Sequence, residues 1–170
     1  VAHSFPTRRS SDLAYPRSLR NAAATALCAL IAATPAATLA QDFENQIRAR
    51  QGQMRVQAVN LGVLGAMARG NMPYDAETAQ AAADNLAAVA IIDQRFHWPE
   101  GSSLFDVDNT RAMPEIWDDF EAFMAEWAAF GAAAAELQAV AGDGLEAMGP
   151  GLRTMGQSCG SCHEQFQQSD

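Results

Sequence analysis

The strongest constraint on this chain lies near its end, in Cys159-Gly160-Ser161-Cys162-His163. Two cysteines separated by two residues and followed at once by histidine form the pattern for covalent attachment of a c-type haem. Each thiol adds to one vinyl group, and the histidine ligates the iron. On a helix, cysteines three apart share a face, and His163, four after Cys159, projects from that face. The spacing serves three bonds to one planar cofactor: one haem c, covalent through Cys159 and Cys162, with His163 on the metal. Three blander readings compete. A redox dithiol needs a low-pKa thiolate, usually in a strand-then-helix setting, and nothing upstream reads as a strand. A zinc site needs about four ligands; this stretch supplies three, with no second Cys/His pair nearby. A chance match in a helix is the last.

The chain has 170 residues and reads as one domain behind a leader. Residues 14–40 have the parts of a secretory signal: Arg17 and Arg20 as a positive start, an apolar run over 22–33, and small residues before a cleavage site at Gln41. The apolar run is too short to span a bilayer comfortably, so no stable membrane anchor is expected. Cys28 falls in this leader and is discarded with it, which leaves only the two motif cysteines. A secreted domain with two cysteines three apart has no disulfide framework, and haem consumes both thiols. Residues 1–13 precede a complete signal and lack periodicity; they read as a non-native or mis-started extension. The domain proper is therefore residues 41–170, in a periplasmic setting.

The chain carries a net charge of −9, and its first forty residues hold four arginines against one aspartate, so the domain stands at −12 and has no lysine. That balance argues against nucleic acid and anionic membranes as partners. It suits a soluble protein and a periplasmic redox partner with a basic docking patch.

After residue 40 the pattern is all-α. Alanine, leucine, methionine and glutamine dominate, and proline and glycine fall mainly at the joints. The first helix is expected over about 42–69, with Phe43, Ile47, Met54, Leu61 and Leu64 on one stripe and Arg50 and Gln51 one turn before Met54. The second is expected over about 75–95, capped by Asp75. Its inner face is small (Ala79, Ala83, Leu86, Ala90), fit for a close neighbour in the bundle or a second subunit. Residues 96–113 form a long connection that can wrap over one edge of the cofactor. The third helix starts at Pro114 and shows a seam of Ile116, Phe120, Phe123, Trp127, Phe130, Ala134 and Leu137. The fourth carries Leu145, Met148, Leu152, Met155, Cys159, Cys162 and Phe166, with Gly149-Pro150-Gly151 marking its start or a kink. Four helices with a core-facing cofactor motif make an antiparallel four-helix bundle, much looser without its haem.

The chain resembles the class II cytochromes c, the family of cytochrome c′ and cytochrome c556. The likeness rests on CxxCH close to the C-terminus, a four-helix domain of this length, Arg50-Gln51-Gly52-Gln53-Met54 in the first helix, and Ala112-Met113-Pro114-Glu115-Ile116-Trp117 at the start of the third. The resemblance implies a periplasmic haem with His163 as proximal ligand and Met54 facing the distal side of the iron. Members with methionine there are commonly six-coordinate electron carriers; members with a non-ligand there are five-coordinate and bind small gases such as NO and CO. By the same resemblance Arg50, beside Gln51, reaches toward a haem propionate, and a homodimer forms through the first and second helices. One departure is Gln167, four after the histidine, where the family often has a basic residue.

Thioether sulfur is a soft ligand, and His/Met ligation raises the reduction potential of the iron. Met54 can equally be one more core methionine; Met67, Met148 and Met155 read as packing residues. His97, beside Trp98 and Pro99, reads as an unligated histidine in a surface turn. Three functions follow. The first is a non-enzymatic electron carrier with His163 and Met54 on the iron. The second is a gas-binding protein with an open distal site. The third is a thiol-disulfide oxidoreductase using Cys159 and Cys162.

Overall fold

A computed structural model describes residues 43–169. The expected leader, with Cys28, and the expected extension over 1–13 lie outside the described residues. Helix α1 spans Glu44–Ala68 and α2 spans Ala76–Ala90. A short α3 (Glu115–Asp118) precedes α4 (Phe120–Val140), and α5 runs from Leu145 to Phe166. The four long helices form the expected antiparallel bundle, and no strand occurs among the described residues.

Local chemistry sets the boundaries. Gly70, at φ +72°, turns the chain out of α1 in a conformation that costs glycine nothing. Asp75 caps α2 as expected: its carboxylate accepts from the Thr78 N–H at 2.8 Å. The second helix ends at Ala90, earlier than the expected 95. Two β-branched isoleucines follow, and then Asp93 accepts from the Arg95 N–H at 3.1 Å to start a separate 3-10 turn, Gln94–Phe96. The third helix is in two pieces. Asp119 leaves helical geometry (φ −140°, ψ 75°) and its side chain caps the new helix through the Ala122 N–H. The break turns Phe120 off the expected seam, 37% exposed, while Ile116, Phe123, Trp127, Phe130, Ala134 and Leu137 are all buried. Helix α5 neither starts nor stops at Pro150. It begins at Leu145, which is exposed rather than on the seam.

The two ends of the bundle differ. At one end the α1–α2 and α4–α5 connections meet: Tyr74 donates to the Ala141 carbonyl and accepts from the Gly144 N–H, both at 2.8 Å. The apolar core lies next to it, with Leu64, Met67, Ala79, Ala83, Leu86, Leu137, Met148 and Met155 fully buried. Met67, Met148 and Met155 are thus packing residues. The small face of α2 is spent inside the chain, where a Cβ built on Gly131 of α4 would stand 3.7 Å from the Ala90 Cβ. It is therefore a contact within the bundle and not one with a second subunit. At the other end the connection 91–113 folds back on α5. Met113 N–H donates to the Phe166 carbonyl at 3.0 Å, and Gln168 N–H to the Arg111 carbonyl at 2.9 Å, around an antiparallel bridge of Ala112 and Gln167. The long connection and the CxxCH turn are thus held together.

Candidate haem site

Cys159, Cys162 and His163 sit in the last two turns of α5. Beside them a cleft of about 510 Å³ opens between α1, the long connection and α5. Arg50, Gln51 and Met54 wall it from α1; Trp98, Thr110 and Arg111 from the connection; Ile116, Phe123, Cys162, His163 and Phe166 from the other helices. A narrower cavity of about 150 Å³ continues into the bundle past Met54, Gln57, Leu61, Trp127, Phe130 and Cys159. Four residues border both spaces: Met54, Phe123, Cys162 and His163. The dimensions and mainly apolar lining suit a cofactor.

The sulfur and nitrogen donors match what a haem requires. Both thiols are unbonded and half-buried. Burial pushes the Cys159 thiol up, and burial with the nearby Glu126 carboxylate pushes Cys162 up to about 11. A dithiol of oxidoreductase type needs the opposite, a depressed pKa, so the geometry does not favour that reading. Among the described residues no cluster of three or more His, Cys, Asp or Glu stands ready for a metal ion. His163 is exposed at the mouth of the cleft, yet its neighbours strip enough water from the ring to lower its pKa, and the Arg111 charge adds to this. The neutral imidazole that results is the form that binds metal.

Arg50 shows the fit most directly. It is 3% exposed. Its guanidinium donates to the Ser102 hydroxyl at 3.0 Å, the Ser102 carbonyl at 2.7 Å and the Thr110 hydroxyl at 2.8 Å. All three are neutral, and burial lowers its pKa to about 10. A buried cation without an anion is costly, and an anionic group of a cofactor bound in the adjoining cleft would offset that charge. Gln51 also lines the cleft and donates to the Asn109 carbonyl at 2.6 Å, holding Asn109 at the unusual φ of +64°. Deeper in, the Nε2 of buried Gln57 has no hydrogen-bond partner, on the wall of the narrow cavity.

The structure brings the expected residues Arg50, Gln51, Met54, Cys162 and His163 onto one cleft and Cys159 onto its extension. His97 stands apart, its Nδ1 3.1 Å from the Asp93 carbonyl within the 3-10 turn. Sequence reasoning missed Trp98, Gln57 and Arg111. Gln57 was legible, being one turn after Met54. Arg111 brings a cation near His163 from another element, where Gln167 supplies none, and no local spacing announces that.

The family model described as cytochrome c′ matches residues 45–167. Cytochrome c-554 of Cereibacter sphaeroides is 39% identical over 155 residues, 89% of this chain and 100% of that protein. Cytochrome c′ of the same organism is 39% identical over 140 residues, 82% of this chain and 94% of the relative. A solved cytochrome c′ from Rhodobacter spheriodes superposes with a TM-score of 0.73 at 36% identity, over 76% of this chain and 99% of that one. With the bundle, the cleft and the attachment cysteines in place, the chain belongs to the cytochrome c′ family of class II cytochromes c and is a haem c protein, its cofactor bonded through Cys159 and Cys162.

Proposed function

We propose that this cytochrome is a periplasmic one-electron carrier whose iron is held by His163 and Met54. The observation that carries the reading is the position of Met54: it borders both the cleft and the inner cavity, as His163 does, from the opposite helix. Haem c supplies the one-electron iron couple. His163 offers a neutral imidazole, and Met54 a soft thioether that favours the reduced state. Arg50 compensates a propionate charge. Gln51 and the connection close the edge against water. The expected leader over 14–40 delivers the chain to the periplasm, and no helix among the described residues is long and apolar enough to cross a membrane. Optical spectra of both oxidation states test the reading. Low-spin ferric haem with a methionine–iron charge-transfer band supports it; a high-spin spectrum with rapid CO binding defeats it.

A second reading, five-coordinate haem that binds NO or CO, has its own support. The matching family is that of cytochrome c′, and the relatives at 39% identity divide between the two names. Gln57, whose buried Nε2 has no hydrogen-bond partner, lines the inner cavity with Met54. A donor there stabilises a polar bound diatomic. Under this reading Gln57→Leu shifts the C–O stretch of the ferrous CO complex; an unchanged stretch removes it.

A homodimer through α1 and α2 is also proposed. Val56, Val59 and Val63 follow helical spacing on α1, Val59 being 68% exposed, and Asn85 of α2 donates to Asn60 beside them at 3.0 Å. Sedimentation of Val59→Glu against the parent tests it, with a monomeric parent as the adverse result.

A further inference from the structure

Gln94 is 1% exposed and does not line the cleft, yet its carboxamide makes three hydrogen bonds. Its Nε2 donates to the Gln53 side-chain oxygen and to the Ile92 carbonyl, both at 2.9 Å. Its Oε1 accepts from the indole N–H of Trp98 at 3.1 Å. The carboxamide orientation is forced. An indole can only donate and a backbone carbonyl can only accept, so exchanging oxygen and nitrogen would break both contacts.

The other end of Trp98 is fixed as well: the Trp117 indole donates to the Trp98 carbonyl at 3.1 Å. Phe123 meets the ring edge-on at 4.7 Å between centroids. With its ring thus fixed, Trp98 presents its face to Arg50, whose Cζ lies 4.7 Å from the ring centroid. Hence the one buried cation on the cleft wall rests on an aromatic plate whose position a glutamine sets from behind.

We propose that Gln94 is a positioning residue for the haem: by fixing Trp98 it holds the Arg50 guanidinium at the cleft, and that charge raises the reduction potential. Reduction adds one negative charge, so a nearby cation favours the ferrous state, directly or by compensating a propionate. Loosening the plate lets the guanidinium turn toward water, and the ferrous state loses that support. The inference needs the haem of the proposed function but not the Met54 ligand. A high-spin spectrum would defeat Met54 ligation and leave this test readable.

The experiment is a redox titration of the intact holo-protein in four forms: parent, Arg50→Gln, Gln94→Met and the double variant. Arg50→Gln is expected to lower the ferrous-to-ferric ratio at fixed potential about tenfold, which is 59 mV for a one-electron couple. Gln94→Met, close in shape, is expected to lower it about two- to fourfold, and to add nothing in the Arg50→Gln background. A purely structural role would move stability but leave the potential alone, or shift it equally in both backgrounds; either result overturns the proposal. If Gln94→Met does not accumulate, Trp98→Phe replaces it in the cycle. Phenylalanine keeps a smaller aromatic face but loses the indole N–H and the fused five-membered ring, so the same non-additive shift is expected, and an unchanged potential is again adverse.

Discussion

Near the C-terminal end of α1, Leu64 and Met67 are sealed against alanines, leucines and methionines of the other helices. Nearer its start, Arg50, Gln53 and Gln57 are almost equally buried. One helix therefore closes two very different interiors. Leu64 belongs to a cluster of buried apolar residues, where burial alone is favourable, at about 25 cal/mol per Å². Around Arg50 each buried group must find a polar partner or cost free energy. Gln53 finds Gln94, Arg50 finds neutral oxygens and aromatic faces, and the Gln57 nitrogen finds nothing. The closed end is complete as protein, whereas the cleft end is built around a group with its own charge and acceptors.

The largest test of that contrast removes the cofactor. Cys159→Ala with Cys162→Ala is expected to abolish covalent haem, leaving a polypeptide without colour after acid–acetone extraction. Hydrogen exchange should then rise over 97–113 and the first half of α1, while the amides of Phe130–Leu137 stay protected. Equal loss at both ends would break the comparison. Next in size is a pair of single changes. Leu64→Ala at the closed end should cost about 2–5 kcal/mol in denaturant unfolding and leave the spectrum alone. Met54→Leu at the cleft should convert a low-spin spectrum to high spin and cost under about 1.5 kcal/mol of packing. No spectral change would take Met54 off the iron.

Much of this was legible because it is periodic. The stripe through Ile47 and Leu64, the aromatic seam from Ile116 to Leu137 and the register of Cys159, Cys162 and Phe166 are all set by helical spacing, and the structure keeps them except at Phe120. The glycine and aspartate at the ends of α1 and α2 signalled those joints through chemistry within a few residues. The break at Asp119 hid behind a seam that ran on through Phe120, because a cap inside a periodic stretch leaves the pattern of apolar residues intact. Arg50 was placed at the stripe, but its depth was not, since burial of a cation depends on Ser102, Thr110 and Trp98, more than forty residues away in sequence. The pairing of 111–113 with 166–168 rests on backbone groups alone, and side-chain patterns do not record it.

A smaller effect is expected at Gly151, where α5 crosses α4. A Cβ there would stand 3.2 Å from Leu137 Cα and 3.3 Å from its Cδ1. Backbone cannot swing aside as a side-chain tip can, so Gly151→Ala should cost about 1–3 kcal/mol. The gain in helix propensity from glycine to alanine, up to about 1 kcal/mol, offsets part of it. An increase in stability would mean that the closed end has more room than its contacts imply.

The smallest effect is pH-dependent. The Asp75 carboxylate is held below its usual 3.8 by hydrogen bonds from Thr78. A carboxyl whose folded pKa is depressed stabilises the fold above its unfolded value, and that contribution disappears as pH falls through the folded value. Asp75→Asn keeps a capping oxygen but no charge, so its midpoint of thermal unfolding should lie slightly below the parent at pH 7. The two should converge as the pH drops below about 3.8. Because Asp75 lies at the closed end, the haem spectrum should not follow this titration. A spectral change with the same midpoint would mean that the two ends of the bundle are coupled through α2, and the contrast drawn from α1 would then be one of composition but not of independence.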